Sequence, residues 1–501
     1  MSSLYNTKEK VHNRGLEAVG KPVSDLVREM DMKISGKKSQ VGDAWESWFG
    51  IEKNSIAGAD LPEAGVELKA TGVKMTKNGP SAKERLVLNI INFIEEIDKE
   101  FETSSFWKKN RYMELGFYGY DKSKSWLEWE LLKSVLFTYP RKDLLIIRQD
   151  WEKIHGYIKA GKAHELSEGL TMYLGACSKG ANKNSLRDQH SRLEAPRAMQ
   201  RAYSLKSTYM TYILRKYVFG KDENPNIRVS PFLPGEVFEE DSDYSTVESV
   251  VKDIRILENE TLEHFILKRL NRYKEQSVSK LVKQFGIQPT KKGQLPKAVN
   301  AMITSRMLGI HGNLQRTEEF IKANITLKTI RISTKGNIRE SMSFPAFKFK
   351  ELAREEWLDS TLRDLLDVAK FLFVVFEEQE DGDYIFKGAK FWTMPEHDLD
   401  GVVKAAWEET VQSLNDGVEL SYNIKRSRVE NNFIKKTERR IIHVRPHASV
   451  ASYEENNSNA DQLPVPAQWR NKPISYADDW MTKQCFWLNN DYVLSQISDL
   501  L

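Results

Sequence analysis

The chain has 501 residues, with 75 Lys and Arg against 71 Asp and Glu and a formal charge of +4. Its length predicts two or three domains rather than a single core, and so small a net charge does not by itself mark a nucleic-acid binder. The two cysteines, Cys177 and Cys485, stand far apart, which argues against a disulfide framework or a cysteine zinc site and fits a reducing cytoplasm. The first residues lack an apolar targeting stretch, and the longest strongly apolar run, Phe371–Phe376, is too short to span a bilayer. The expectation is a soluble cytoplasmic protein.

In chain order, Lys38 to Gly50 reads as a helix with apolar positions Val41, Trp45, Trp48 and Phe49. Lys38 and Glu46 lie near two full turns apart and can share a face. Next comes Asp60-Leu-Pro-Glu-Ala-Gly-Val-Glu67-Leu-Lys69, with the pattern D-x6-E-x-K. Gly65 ends a turn, and Val66 to Ala70 begins a short alternating strand. Residues two apart on a strand share a face, so Glu67 and Lys69 point one way while Val66 and Leu68 face the core. Asp60 can fold back onto that charged face. Two carboxylates and an ammonium so placed can hold a divalent ion and assist cleavage of a phosphodiester. The same pair also fits a solvated strand face with a weak ion pair. Downstream, Lys108 and Lys109 lead directly into another apolar strand.

Between Ser178 and Lys216 there are nine Lys and Arg against two acidic residues, and between Leu267 and Lys297 nine against one. Such stretches can neutralise phosphates; for the second, a solvated helix face is the alternative. Lys179, Lys183, Arg187, Arg192 and Arg197 lie in a Gly- and Ser-punctuated loop able to enter a groove. Pro225, Pro231, Pro234-Gly235 and the acidic run Glu239–Asp243 interrupt every periodic pattern and predict a domain boundary at 219–247. His190, His443 and His447 show no metal-ligand spacing.

The two sides of that boundary echo each other. Lys292 to Asn300 echoes Lys38 to Glu46, and Ile325 to Thr329 echoes Val66 to Ala70. Pro395 to Leu399, with Trp407 and Gly417 beyond, echoes Pro140 to Leu144, Trp151 and Gly161; Lys483 to Leu488 parallels Gln200 to Leu205. On this alignment Glu46 becomes Asn300, Glu67 becomes Thr326, Lys328 keeps the place of Lys69, and Glu319 falls where Asp60 would. No lysine matches Lys109. One carboxylate and a threonine make a poor Mg site.

Lys38…Glu46, Asp60…Glu67-x-Lys69 and Lys109 match, in order, the motifs of the MutH-type nucleases. The chain resembles most the GATC-cutting type II restriction endonucleases of that family, along Val11–Lys21, Lys83–Asn92, His164–Thr171 and Trp480–Tyr492, nearly its whole length. The resemblance implies an α/β protein with an α+β mixed-sheet, restriction-endonuclease-like core in two tandem MutH-like domains. These are a catalytic domain at 1–218, a Pro/acidic linker at 219–247 and a degenerate DNA-binding effector domain at 248–501. It also implies Mg-dependent cleavage of duplex DNA at GATC, activated by a second GATC site bound to the second domain, with a cognate DNA methyltransferase as system partner.

In that scheme Asp60 and Glu67, with the carbonyl of Leu68, ligate Mg, and Lys69 orients or deprotonates the attacking water. Lys109 holds the phosphate, Glu46 binds a second metal or steadies Lys69, and Lys38 clamps the backbone. The loop Cys177-Ser-Lys179-Gly-Ala-Asn182 enters the major groove, Arg201 and Lys206 add contacts, and His443-Val-Arg445-Pro-His447 is the C-terminal counterpart. Cys177 departs from the mismatch-repair branch, where an arginine is expected. One intact site per chain predicts a monomer that dimerises on DNA. A strand-nicking repair endonuclease and a non-catalytic DNA-binding protein are the alternative readings.

Overall fold

The strand that starts at the second carboxylate of the D-x6-E-x-K segment, Glu67–Thr76 (β1), runs ten residues, well past the expected short piece. The protein is described here from a computed structural model, covering residues 2–32, 40–51, 58–179, 185–189, 194–220, 222, 224–229 and 247–501. Among the described residues, the α-helices before β1 are α1 (Lys8–Leu16), α2 (Val23–Glu29) and α3 (Gln40–Trp48). After it come β2 (Gly79–Ala82), β3 (Leu86–Ile90), α4 (Ser105–Asn110), β4 (Met113–Gly119), β5 (Leu131–Phe137) and α5 (Arg141–Lys159). Then follow β6 (Leu174–Ser178), β7 (Leu186–Arg187), β8 (Ala198–Met199), β9 (Arg201–Leu205), α6 (Ser207–Ile213) and β10 (Ile227–Val229).

The main sheet has the order β10-β5-β4-β1-β2, with β1 and β4 parallel and the other neighbours antiparallel. A parallel neighbour requires a crossover, which β2, β3 and α4 supply. The apolar face of α3 (Val41, Ala44, Trp45 and Trp48) packs with Val66 and Leu68 in one core, so α3 is held against the start of β1. A second, antiparallel sheet has the order β3-β9-β6.

The chain groups into two units, Met1–Phe265 with Gly312–Ile325, and Ile266–His311 with Thr326–Leu501. The division between these units falls inside α7 (Leu262–Asn271); of the segment 219–247, residues 221, 223 and 230–246 lie outside the described residues. The second unit contains α8 (Val278–Gln284) and α9 (Val299–Met307), whereas α10 (Glu318–Ala323) belongs with the first. Its strands are β11 (Ile325–Ile332), β12 (Met342–Phe347), β13 (Lys370–Glu378), β14 (Tyr384–Trp392), β15 (Glu419–Asn423), β16 (Arg428–Asn431), β17 (Ile442–Pro446), β18 (Ala460–Gln462), β19 (Gln468–Arg470), β20 (Trp480–Thr482) and β21 (Gln484–Leu488).

The internal repeat is visible as topology. The order β14-β13-β11 repeats β5-β4-β1, and β12-β21-β17 repeats β3-β9-β6, each with its strands in the same chain sequence. The caps repeat too: Thr7 accepts from Lys10 N at the start of α1 (3.3 Å), and Thr261 from His264 N at the start of α7 (3.2 Å). The antiparallel pair β18 and β20 repeats β7 and β8 in chain place, whereas β15, β16 and β19 have no counterpart among the described residues of the first copy.

The helices α3 and α9 align differently from the expected pairing of Glu46 with Asn300. Buried Val41, Ala44, Trp45 and Trp48 on α3 correspond to buried Asn300, Ile303, Thr304 and Met307 on α9. Both helices are followed by a glycine in the left-handed region, Gly50 at φ +73° and Gly309 at +75°. The counterpart of Glu46 is therefore Ser305, not Asn300. The buried stripe and the cap set the register; the lysines before the helix do not. Among the described residues no helix is long and apolar enough to cross a membrane.

Candidate active site

Leu61 and Val66 form a two-way backbone bridge (Leu61 N to Val66 O 3.0 Å, Val66 N to Leu61 O 3.2 Å), and Gly65 turns the chain between them at φ +64°. Glycine occupies that region without the steric cost of a Cβ. The tight return sets Asp60 against the start of β1. Leu68 N donates to Asp60 Oδ2 at 3.0 Å, and Asp60 N donates to Glu67 Oε2 at 3.2 Å. The D-x6-E spacing thus works through a hairpin rather than a helical turn.

Lys69 donates to Glu67 Oε1. Lys109 Nζ approaches the same oxygen at 3.4 Å and Asp60 Oδ1 at 3.9 Å. It comes from the last turn of α4, which Ser104 caps by accepting from Trp107 N at 3.1 Å. The parallel register opposing Glu67 to Met113 brings the end of α4 to the start of β1. Lys108, one residue earlier, is exposed. Glu46 projects half-buried from α3 into the field of Asp60, Lys69 and Lys109. Glu46, Asp60, Glu67, Lys69 and Lys109 are therefore gathered in one place.

Their electrostatics follow from burial. Glu67 has no exposed surface, which does not fit the alternative of a solvated strand face. Burial pushes its carboxyl up to about 7, against the pull of the Lys69 ammonium, with Asp60 adding to the rise. Burial also raises Glu46, helped by the charge of Asp60. A carboxylate held near neutrality beside two lysines can exchange its proton for a cation as conditions change.

No three His, Cys, Asp or Glu side chains among the described residues make a closed metal cage. A hard divalent ion such as Mg needs less, because it binds through one or two carboxylates and keeps several waters. Asp60 and Glu67 fit that requirement. Their oxygens Oδ1 and Oε1 already face the positive charge of Lys109.

The expected DNA-reading residues fare unevenly. Lys38 and Asn182 lie outside the described residues. Lys179 is exposed, and so is Arg445, whose guanidinium lies 4.8 Å over the Trp487 ring. Arg201 and Lys206 are buried, contrary to the expectation of groove contacts. Arg201 donates to Ala176 O at 3.0 Å, and Lys206 to Thr171 O at 2.7 Å and Ala323 O at 3.2 Å. For Arg201 the cause is topological: β9 is the middle strand of its sheet, and both its faces are covered; Lys206 follows β9 at the N-cap of α6.

A buried polar cluster of the first unit escaped sequence reading. His12 Nδ1 lies 3.0 Å from Glu114 Oε1, and Ser134 donates to the same oxygen. Pairing of Glu114 with Leu68 puts this carboxylate on the face of β4 away from Glu67. The strand register makes Leu372 and Ala389 the counterparts of Glu114 and Ser134, and the helix caps make Ile266 that of His12. Only comparison of the copies signals the cluster.

A family model described as DNA mismatch repair enzyme MutH matches residues 49–150, the stretch that carries Asp60, Glu67, Lys69 and Lys109. Fold and site thus define a MutH-type nuclease, of restriction-endonuclease-like architecture. The chain is also 45% identical over 520 residues to the type II restriction enzyme Sau3AI of Staphylococcus aureus, covering 99% of this chain and 99% of that one. At that identity and coverage it belongs to the family of that type II restriction enzyme: it is a site-specific deoxyribonuclease, and its substrate is DNA. Restriction endonucleases generally use divalent metal ions.

Proposed function

We propose that the chain cuts both strands of duplex DNA at GATC with Mg, and that the second unit binds a second GATC duplex and thereby activates cleavage. The observation carrying the reading is the convergence of Asp60, Glu67, Lys69 and Lys109, with Lys109 Nζ 3.4 Å from the buried carboxylate of Glu67. The repeat supports the second half: a copy of the fold that keeps Lys328 but has Ser305 and Thr326 for Glu46 and Glu67 lacks the groups for hydrolysis.

Asp60 and Glu67, with the Leu68 carbonyl, hold the ion. Once bound, Mg supplies Lewis-acid activation of the scissile phosphate and of the attacking water. Lys69 orients that water toward phosphorus and offsets the negative charge that builds as the new P–O bond forms and the old one breaks. Lys109 holds the phosphate from the α4 side. Glu46 keeps Lys69 in place or supports a second ion. Lys179 and Arg445 are exposed and free in geometry to meet DNA, each in its own unit. With one such cluster per chain, a double-strand cut calls for two chains on one site, a transient dimer.

A plasmid digest tests this. Linear fragments cut at every GATC, dependent on Mg and lost in Lys69→Ala, are the expected result. Nicks alone would favour the repair enzyme, and intact plasmid with a band shift would remove catalysis altogether. Sedimentation with a cognate duplex tests the dimer. A cognate methyltransferase acting at the same sequence should protect the plasmid.

A further inference from the structure

We propose that the second unit grips a DNA phosphate directly on Lys328, without a metal ion, at the position where the first unit carries its carboxylate cluster. The proposal rests on the reading that the second unit binds a duplex, and it names the contact that replaces the metal site.

The corrected register sets the two positions side by side. From Glu46 to Lys69 and from Ser305 to Lys328 the chain has the same length, so Asp60 corresponds to Glu319, Glu67 to Thr326 and Lys69 to Lys328. In the first unit the ammonium of Lys69 is taken by Glu67, and a phosphate must compete with that carboxylate or be bridged to it by a cation. In the second, Thr326 and Ser305 are neutral. Ser305 turns its hydroxyl to Ala301 O at 3.1 Å.

The remaining carboxylate has been redeployed. Glu319 accepts from Lys142 Nζ at 2.6 Å, Ser249 Oγ at 2.8 Å, Val250 N at 2.9 Å and Val251 N at 3.0 Å, all within the first unit. Its oxygens are fully used. Ser360 caps the helix Thr361–Val368 as Ser104 caps α4, which sets Asp364 and Leu365 at the places of Lys108 and Lys109 and brings no second ammonium there.

Lys328 is half-buried and makes no ion pair among the described residues; partial burial alone lowers its pKa. A desolvated ammonium without a counter-charge is costly unless an anion completes it. Removal of the carboxylates therefore does two things at once. It abolishes the ion site, and it leaves the ammonium of Lys328 without the carboxylate that Lys69 has, which suits a phosphodiester.

The test uses the full chain in EDTA with a labelled duplex of about two helical turns carrying GATC, followed by sedimentation velocity and salt titration. Wild type is expected to bind two duplexes per chain. Lys328→Gln should weaken the second at least about tenfold and lower the slope of log K against log salt by about 0.9, the value of one phosphate contact. Lys328→Arg should keep both. Thr326→Glu, which rebuilds the E-x-K pair, should weaken the second duplex as Lys328→Gln does. Unchanged melting temperatures establish that the variants fold. If Lys328→Gln binds two duplexes with wild-type affinity and slope, the lysine contact is overturned while the two-duplex reading stands. If wild type binds one duplex only and Lys328→Gln leaves that binding unchanged, both fall.

Discussion

Lys109 Nζ lies 3.4 Å from Glu67 Oε1, the oxygen that Lys69 also takes. Two ammoniums from different elements, α4 and β1, thus converge on one carboxylate that has no exposed surface. The pairing assigns Lys109 to the cluster and leaves Lys108 in solvent. Lys109→Ala should reduce the single-turnover cleavage rate about 100- to 1,000-fold, the range for losing one preorganised charge donor. Lys108→Ala should stay within about threefold, because an exposed lysine contributes little beyond screened attraction. Equal losses in the two variants would remove Lys109 from the site.

Glu67 titrates near neutrality in the metal-free protein, because burial pushes it up to about 7. Divalent ions bind the deprotonated form, so their affinity should fall about tenfold per pH unit below 7 and binding should release a proton. Calorimetry in two buffers of different ionisation enthalpy reads that proton directly. A pH-independent affinity between 6 and 8 would contradict the assignment of Glu67 as a ligand.

The same shift has a stability consequence of opposite sign to the usual paired carboxylate. A carboxyl raised in the folded state favours folding while it is protonated, and that contribution is lost as pH rises from its unfolded value through about 7. Glu67→Gln should therefore stabilise the metal-free protein at pH 8, on the order of 1–3 kcal/mol, while abolishing cleavage. At pH 4 the two proteins should melt alike.

Lys322 Nζ donates to Asp143 Oδ1 at 2.7 Å and Oδ2 at 2.9 Å, and to Glu318 Oε1 at 2.7 Å, within the first unit. Both Lys322 and Asp143 are 1% exposed at the side chain, and Tyr209 donates to Asp143 as well. Lys322→Met leaves Asp143 charged and unpartnered by its cation, and should cost about 3–5 kcal/mol in chemical denaturation. Lys322→Met with Asp143→Leu should recover much of that loss. Additive losses would mean the pair is not coupled.

The buried His12, Glu114 and Ser134 cluster has Ile266, Leu372 and Ala389 as its counterparts. His12→Ala alone should destabilise by about 1–3 kcal/mol, since it strips a partner from a buried carboxylate. The triple variant His12→Ile, Glu114→Leu, Ser134→Ala copies the apolar solution and should be close to neutral in a urea melt. A triple variant worse than the single one would show that the polar cluster shapes the sheet.

The charged cluster around Glu67 was largely legible in the sequence because its parts are local. Asp60, Glu67 and Lys69 lie within one hairpin, and strand alternation sets Glu67 and Lys69 on one side. What alternation could not show is depth: Glu67 has no exposed surface, although it lies on the face of β1 opposite the one that packs with α3. Lys109 could be placed only by the parallel pairing of β1 with β4, which brings distant stretches of chain together.

The repeat was legible as order, but its register near Glu46 was not. Similar lysines and glycines suggested Asn300, whereas the buried helical stripe and the cap glycine select Ser305. Arg201 and Lys206 were misplaced for a related reason. A cation in a sequence is surface by default; the covered middle position of β9 makes Arg201 interior, and the carbonyls of Thr171 and Ala323 hold Lys206 inside, just past that strand.

By itself, then, the sequence determined the chemical groups, their local spacing, the duplication, and which copy lacks carboxylates at the positions of Glu46 and Glu67. Tertiary structure alone decided which lysine meets Glu67, how deeply that carboxylate is buried, where the units divide, and that Glu319 serves the first unit's α5. Spacing along a chain governs only groups within a hairpin or a helical turn. Burial and long-range pairing depend on which elements pack together, and these set the charge and reach of every residue in the site.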